Sequence, residues 1–324
     1  MRSFIAVAAC VPLFAAGPTV LLLTTDGKTV EGVTDRKSIA VKVKGTRREI
    51  ALSRVLSIHS GAAASAAESE KIRTGIDAIL ANDKLPKDAG ARVERDKAVE
   101  EITAIGIPAV TPLLEVYKDT DSHQPYPLYR LFERVMPSLA DQIDRSLSMV
   151  RLVGGEMLRG ELEAADWKVG SETISGANVR RVAVLQKAVS RQTDLHSLLH
   201  CNQVEFLDSG IVLAGGSKVD STALGFTRLS WKVDDWATDA DGLKKPAANY
   251  KTNLVNGHPF GAVVGRVGAA GSLFLAGSHM TGKTGLGAGR LYFAVNDNPH
   301  WQNNLGSYRL TVRVTDAYDL GDAR

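Results

Sequence analysis

Hydrophobic positions follow two periods along the chain. Over residues 18–60 and 148–190 they come in short alternating runs broken by glycine, the period-two mark of half-buried strands. In the first segment the runs are Leu22 to Thr25, Thr29 to Thr34, Ile39 to Val43 and Glu49 to Leu52. Gly27, Gly32, Ile50, Val55 and Ile58 there are answered by Gly155, Gly160, Ile174, Val179 and Val182 in the second segment, with the same spacing between the glycines. The two segments therefore read as copies of one unit: strand, Gly turn, strand, a further strand pair and a final strand. Short strands with Gly turns predict a small barrel or curled sheet, and two arrangements are open, a pair of packed copies or one split module.

Between the copies, over residues 61–147, the period becomes helical. An Ala/Ser/Glu-rich stretch, Gly61 to Glu70, leads into apolar positions at Ile72, Ile76, Ile79 and Leu80. Ala98, Ile102 and Ile105 precede Gly106, and Val110, Leu113, Leu114 and Tyr117 follow Pro108, which predicts two helices meeting at a Gly-x-Pro corner. Leu128 to Leu139 predicts another. Arg95-Asp96-Lys97-Ala98 with Ile105 to Val110 makes residues 95–139 resemble a single HEAT-type helical hairpin. One such unit cannot bury its apolar face alone, so it is expected to dock on the flanking strands or on further helices. Its expected role is architectural, with a protein partner as the alternative.

A linker over 191–203 then leads to Gly-punctuated strands across 204–316: Val204 to Phe206, Gly210 to Leu213, Ser221 to Arg228, Gly261 to Val267, Leu273 to Ala276, Leu291 to Val295 and Tyr308 to Val314. Many strands, long loops and few helices predict an antiparallel sandwich, with residues 317–324 as a tail. The expected architecture is thus multi-domain and mainly β, with small barrel-like repeats and a short helical insert.

At 324 residues, 44% apolar and 23% charged, the chain has room for two or three such units. The net charge of +3 is spread along the sequence and gathers into no basic run, so no nucleic-acid partner is expected. Met1-Arg2-Ser3 followed by the apolar, Ala-rich stretch Phe4 to Ala16 has the make-up of a secretory signal peptide over residues 1–17. Export to the periplasm, cell surface or medium is expected. Cleavage removes Cys10 and leaves Cys201 alone, so no intramolecular disulfide is expected.

Candidate chemistry gathers near the C-terminus. Asn296-Asp297-Asn298-Pro299-His300-Trp301-Gln302-Asn303-Asn304 puts a carboxylate and several amides on one loop between two strand-like runs. Carboxylate, amide and main-chain oxygens suit Ca²⁺, while zinc favours Cys and His. The same residues also suit an ordinary Asn-rich turn. Gly277 to Thr284 fits the P-loop spacing, Gly, four residues, Gly-Lys-Thr. A P-loop needs a helix beginning at the Lys-Thr, and Gly285, Gly287 and Gly289 follow instead, so no nucleotide is expected. His196, His200 and Cys201 have partial zinc-ligand spacing but no evident fourth ligand. Neither a nucleophile motif nor an acid/base carboxylate pair appears, which argues against an enzyme. Acidic loops at Asp234-Asp235 and Asp239-Ala240-Asp241 lie near Trp231 and Trp236, a composition that suits sugar hydroxyls and ring faces and equally suits a solvated loop beside a core indole.

Several landmarks occur in order: Ser221-Thr222-Ala223-Leu224-Gly225-Phe226, Pro259 to Gly268, Gly289 to Asp297, and Asn303-Asn304-x-Gly306-x-Tyr308. With these the last third resembles the PA-IL-like galactophilic bacterial lectins, calcium-dependent jelly-roll sandwiches of galactose-binding type. The resemblance implies that Asp297, Asn303 and Asn304 give side-chain oxygens to Ca²⁺, that Leu229 gives a main-chain carbonyl, and that His300 or Trp301 gives another. It further implies that two hydroxyls of a glycan or galactoside-like saccharide complete the ion's shell. Asp241, Asp297, Asn298, Asn303, Asn304 and Trp301 are then the expected saccharide contacts, with Trp236 as another stacking face. Two departures qualify this. The loop is one residue shorter than the family pattern between the Asp and the Asn pair. Where the family has His-Pro-x-Gln-Gly, this chain has Thr238-Asp239-Ala240-Asp241-Gly242, so galactose specificity does not carry over. The expected function is an exported, non-enzymatic, calcium-dependent carbohydrate-binding protein. The alternative is an envelope-associated structural or protein-binding scaffold whose jelly roll no longer binds sugar.

Overall fold

The computed structural model describes residues 17–61, 64–81, 89–110, 112–113, 116, 147–201, 205–230, 236–244, 258–297 and 304–321. The expected signal segment, the helix at Leu128 to Leu139, and Asn298, His300, Trp301 and Asn303 lie outside these residues. The protein is mainly β, with a large antiparallel sheet in which the C-terminal strands form a sandwich and helices form a short insert.

The two Gly-turn segments are copies, and they exchange strands. The first contributes β1 (Thr19–Thr24), β2 (Thr29–Val33), β3 (Ser38–Val43), β4 (Thr46–Ala51) and β5 (Val55–His59). The second contributes β6 (Ser148–Leu152), β7 (Met157–Leu162), β8 (Trp167–Val169), β9 (Glu172–Ile174) and β10 (Val179–His196). β5 and β10 pair antiparallel with Ile58 opposite Val182, equivalent positions of the two copies, so a local twofold axis passes between them. The first strand of each copy pairs with the last strand of the other: Leu22 faces Val182 and Val150 faces Ile58. The second strand of each meets the third of the other, through Val41 opposite Leu162 and a bridge from Thr34 to Val169. What the repeat left open is therefore resolved as one intertwined module with a single core. The repeated glycines permit this approach. A Cβ at Gly160 would stand 2.4 Å from the Lys42 carbonyl oxygen, and one at Gly32 would stand 3.0 Å from Val169 Cγ1.

The helical insert occupies the place of a hairpin turn, because His59 at the end of β5 pairs with Met149 at the start of β6. Helix α1 (Ala66–Ala81) begins with a capping box: Ser65 Oγ accepts from the Glu68 N–H, and Glu68 Oε2 accepts from the Ser65 N–H at 2.8 Å. Ile72, Ile76 and Ile79 pack on Ile102 and Ile105 of α2 (Ala89–Ile105), and Gly75 lets Ile102 come close. The pair then docks on both β units. On the intertwined module Glu68 takes a two-armed ion pair from Arg180 of β10, each side chain 2% exposed. Arg181 Nη2 donates to the Thr103 carbonyl at 3.0 Å. On the sandwich, Arg266 donates to Asp96 at 2.7 Å and the Ala269 N–H donates to Glu100 at 3.0 Å.

The sandwich comprises β11 (Leu207–Arg228), β12 (Ala237–Thr238), β13 (Val263–Val267), β14 (Phe274–Leu275), β15 (His279–Lys283), β16 (Gly289–Val295) and β17 (Leu305–Asp319), together with the second half of β10. Three expectations change here. Residues 191–196, expected as linker, are strand: β10 runs unbroken from the module, where it pairs β1 and β5, into the sandwich, where Leu185 to His196 pair β17. Its polar residues face outward or find partners, as Arg191 does with Asp319, while Val189 and Leu195 enter the core. The expected tail is also strand as far as Asp319, with Tyr318 and Leu320 buried. And the P-loop-like stretch is a strand, with His279 and Met280 paired to β11. β11 bends between two expected strands through Gly215-Gly216, where its register with β17 shifts.

Candidate functional site

The ends of β11, β16 and β17 converge at one edge of the sandwich. Alternation on β16 points Leu291, Phe293 and Val295 into the main core, after which Asn296 and Asp297 leave the strand. Asn296 holds the exit. Its N–H donates to the Ala262 carbonyl at 2.8 Å, its carbonyl accepts from the Gly261 N–H at 2.7 Å, and its amide donates to the carbonyl of Pro259 at 3.0 Å. Asp297 follows, only 1% exposed.

Asn304, also 1% exposed, stands at the mouth of β17. Its Nδ2 donates to the Ser197 carbonyl at 3.1 Å and to Asp297 Oδ2. A carbonyl accepts only, so the Ser197 contact fixes which end of the amide is nitrogen. Oδ1 is then left buried, accepting no hydrogen bond among the described residues. A buried amide oxygen without a donor is costly unless a cation or another donor meets it. An acidic side chain beside that oxygen, both out of water, is the hard-oxygen set that Ca²⁺ takes. The residues present fit the ion on this observation.

Leu229 belongs to the same edge. β11 and β17 pair Thr227 with Gly306 and Arg228 with Leu305, so Leu229 and Asn304 are the residues just beyond the last paired position on each strand. Its N–H donates to the Trp236 carbonyl at 3.0 Å, and its side chain lies where Gly261 has no Cβ. Gly306 serves the same crossing. With φ at +94°, it brings β17 so near β11 that a Cβ would stand 2.5 Å from the Phe226 carbonyl oxygen. Ser197 donates to the Gly306 carbonyl from Oγ at 2.9 Å and from its N–H. The stretch with partial zinc spacing thus supports Asn304: His200 Nδ1 accepts from the His196 N–H, and the His200 carbonyl accepts from Val295. Among the described residues no three His, Cys, Asp or Glu side chains gather as a metal-binding group.

Tyr308 ties the neighbouring loops to this edge. Its buried hydroxyl lies 2.9 Å from Thr227 Oγ1, 2.9 Å from the Asp239 carbonyl and 3.3 Å from the Gly261 carbonyl. Burial pushes its pKa up, so the hydroxyl stays a neutral donor. Asp241, expected to meet saccharide, is exposed in the loop that Tyr308 anchors. Both its oxygens already accept from Ser278, Oδ1 from the N–H at 2.7 Å and Oδ2 from the hydroxyl at 2.8 Å. Those two bonds hold its carboxyl below the usual carboxylate range. Trp236 packs edge-on against Phe260, centroids 5.8 Å apart, beside the core.

The structure therefore brings Asp297 and Asn304 together, has Leu229 follow the last paired position of the neighbouring strand, and places Asp241 in an adjoining loop. Sequence reasoning missed Ser197 as the residue that orients Asn304, and the anchoring role of Tyr308. The partners of Ser197 are more than a hundred residues away, which leaves no local signal, whereas the Asn304-x-Gly306-x-Tyr308 spacing held both the close-approach glycine and the anchor.

No family model and no curated protein matches the chain. Among the solved structures that match is the N-terminal domain of EclA, described as a PllA-like lectin. It is 18% identical, covers 40% of this chain and 98% of that one, and has a TM-score of 0.30. A likeness at that score carries no argument, and the functional reading rests on the residues themselves.

Proposed function

We propose that the C-terminal sandwich is a non-enzymatic carbohydrate-binding module that holds Ca²⁺ at the Asp297–Asn304 edge and takes a saccharide next to the ion. One observation carries this reading: the Asn304 amide is oriented by Ser197 so that its buried Oδ1 lacks a donor beside the buried Asp297. The main-chain carbonyl of Leu229, just past the last paired position of β11, is the third oxygen of the proposed set. Asn303, with His300 or Trp301, is proposed to complete it from the loop. When bound, the ion supplies a charged anchor for sugar hydroxyls, while Asn298, Trp301 and the lone pairs that Asp241 keeps beyond its Ser278 bonds add contacts. The leader-like start supports export.

A second reading, a structural scaffold whose sandwich binds no sugar, is supported by the way α1 and α2 brace both β units through Glu68, Asp96 and Glu100. A glycan array probed with the full chain in calcium and again in EDTA separates the two. Retention of a glycan set that EDTA abolishes is the expected result. Absence of retention in both conditions overturns the carbohydrate reading and leaves the scaffold.

A further inference from the structure

A cleft of about 420 Å³ opens where β1 and β2, α2, and the strands β11, β16 and β17 meet. It shares no lining residue with the Asp297–Asn304 edge. Leu21 and Leu23 of β1, Val212 and Leu213 of β11, and Leu320 after β17 give it aliphatic walls. Its volume lies in the range of small-molecule pockets, roughly 300–1,000 Å³.

Arg181 is one of four charged residues in its lining, with Arg290, Glu31 and Glu100. The residue is 7% exposed, yet one hydrogen bond, from Nη2 to the Thr103 carbonyl, is all that its guanidinium makes among the described residues. A guanidinium has five N–H donors, so most of its capacity is unused. Among the described residues no carboxylate makes an ion pair with it, although Glu31 and Glu100 also line the cleft and the Asp208 charge attracts it through space. The neighbouring Arg290 has taken Asp208, at 2.6 Å. Glu100 accepts from the Ala269 N–H, and Glu31 accepts from the Tyr318 hydroxyl at 2.6 Å. Burial, with repulsion from Arg290, pushes Arg181 down to about 9. Gly106 makes room for the group: its φ is +73°, and a Cβ there would come 3.1 Å from Arg181 Nη2. A buried guanidinium with donors to spare is stabilised by an anion that meets them, and a planar fork of donors matches a carboxylate.

We propose that this cleft binds a monocarboxylic acid with an aliphatic body, its carboxylate on Arg181 and its chain along Leu21, Leu23, Val212, Leu213 and Leu320.

Isothermal titration of the full chain with octanoate, in calcium-free buffer, tests the assignment against octanamide and inorganic phosphate. The expected result is one saturable octanoate site, octanamide at least about tenfold weaker, and no saturable phosphate binding. Arg181→Gln should bring octanoate and octanamide within about threefold of each other. Ala288→Trp, at an exposed rim position, should abolish octanoate binding without lowering the melting temperature. No saturable octanoate binding, equal binding of octanamide, or an Ala288→Trp variant that binds like the parent overturns the proposal. Phosphate binding as tightly as octanoate overturns the aliphatic class and leaves an inorganic-anion site. Should Arg181→Gln fail to fold, the octanamide and Ala288→Trp comparisons still decide.

Discussion

Tyr308 shows how one buried hydroxyl sets the geometry of several loops. It stands near the start of β17 against Thr227 of β11 and faces the carbonyls of Asp239 and Gly261, so its loss removes the one O–H that these acceptors share. Tyr308→Phe is expected to lower unfolding free energy by about 1–3 kcal/mol in urea, because the burial of those acceptors persists while their partner is gone. An unchanged midpoint would mean that water replaces the hydroxyl. At this scale the sequence was informative where the constraint is local. Asp297, Asn304, Gly306 and Tyr308 lie within a dozen residues of one another, and their spacing follows from a strand exit, a strand entry and the close crossing of β11. What the sequence did not show at Asp241 is that Ser278, far along the chain, engages both oxygens of this exposed carboxylate.

Among the elements, α1 depends most on a single side chain. Glu68 closes the capping box at its N-terminus and pairs with Arg180 of β10, so one carboxylate both starts the helix and fastens it. Glu68→Ala leaves Arg180 buried without its partner, and a broken buried pair costs about 3–5 kcal/mol. Hydrogen exchange should show α1 losing protection before the strands do; equal loss across the protein would indicate that the insert and the sheet unfold as one. The glycine spacing revealed the repeat, since each glycine occupies the same place in its copy. It did not reveal the exchange of strands, because pairing partners such as Leu22 and Val182 are remote in sequence and alternation specifies a face without specifying a neighbour. β15 was hidden for the opposite reason: glycines on every side of His279 to Lys283 imitate a loop, although β11 supplies the pairing that makes them a strand.

Across the whole molecule, β10 is the shared member, with one half in the intertwined module and the other in the sandwich; the two halves meet at Val184-Leu185, and the polar residues that resembled a linker lie in the sandwich half. Near this junction His59 is half-buried, with Nε2 3.1 Å from the Leu320 carbonyl. Burial first, then the charges of Arg181 and Arg151, holds it well below the usual histidine range. The sign follows: the unfolded chain takes up the proton first, so His59 contributes its full stability above about pH 6.5 and loses it as the pH falls below that value. Urea unfolding at pH 8 and pH 5.5 should therefore show a larger drop in the parent than in His59→Gln; equal drops would exclude His59 as the cause. The mainly β class, the helical insert and the sandwich were legible in the periodicity, while the continuity between units was not, because it depends on long-range pairing. The central claim, a calcium ion held by Asp297 and Asn304, is tested most directly by isothermal titration of the full chain and of Asp297→Ala with CaCl₂, with folding checked by circular dichroism. The account predicts one saturable site in the parent that is lost in the folded variant. Absence of calcium binding in the parent, or undiminished binding in Asp297→Ala, would contradict it.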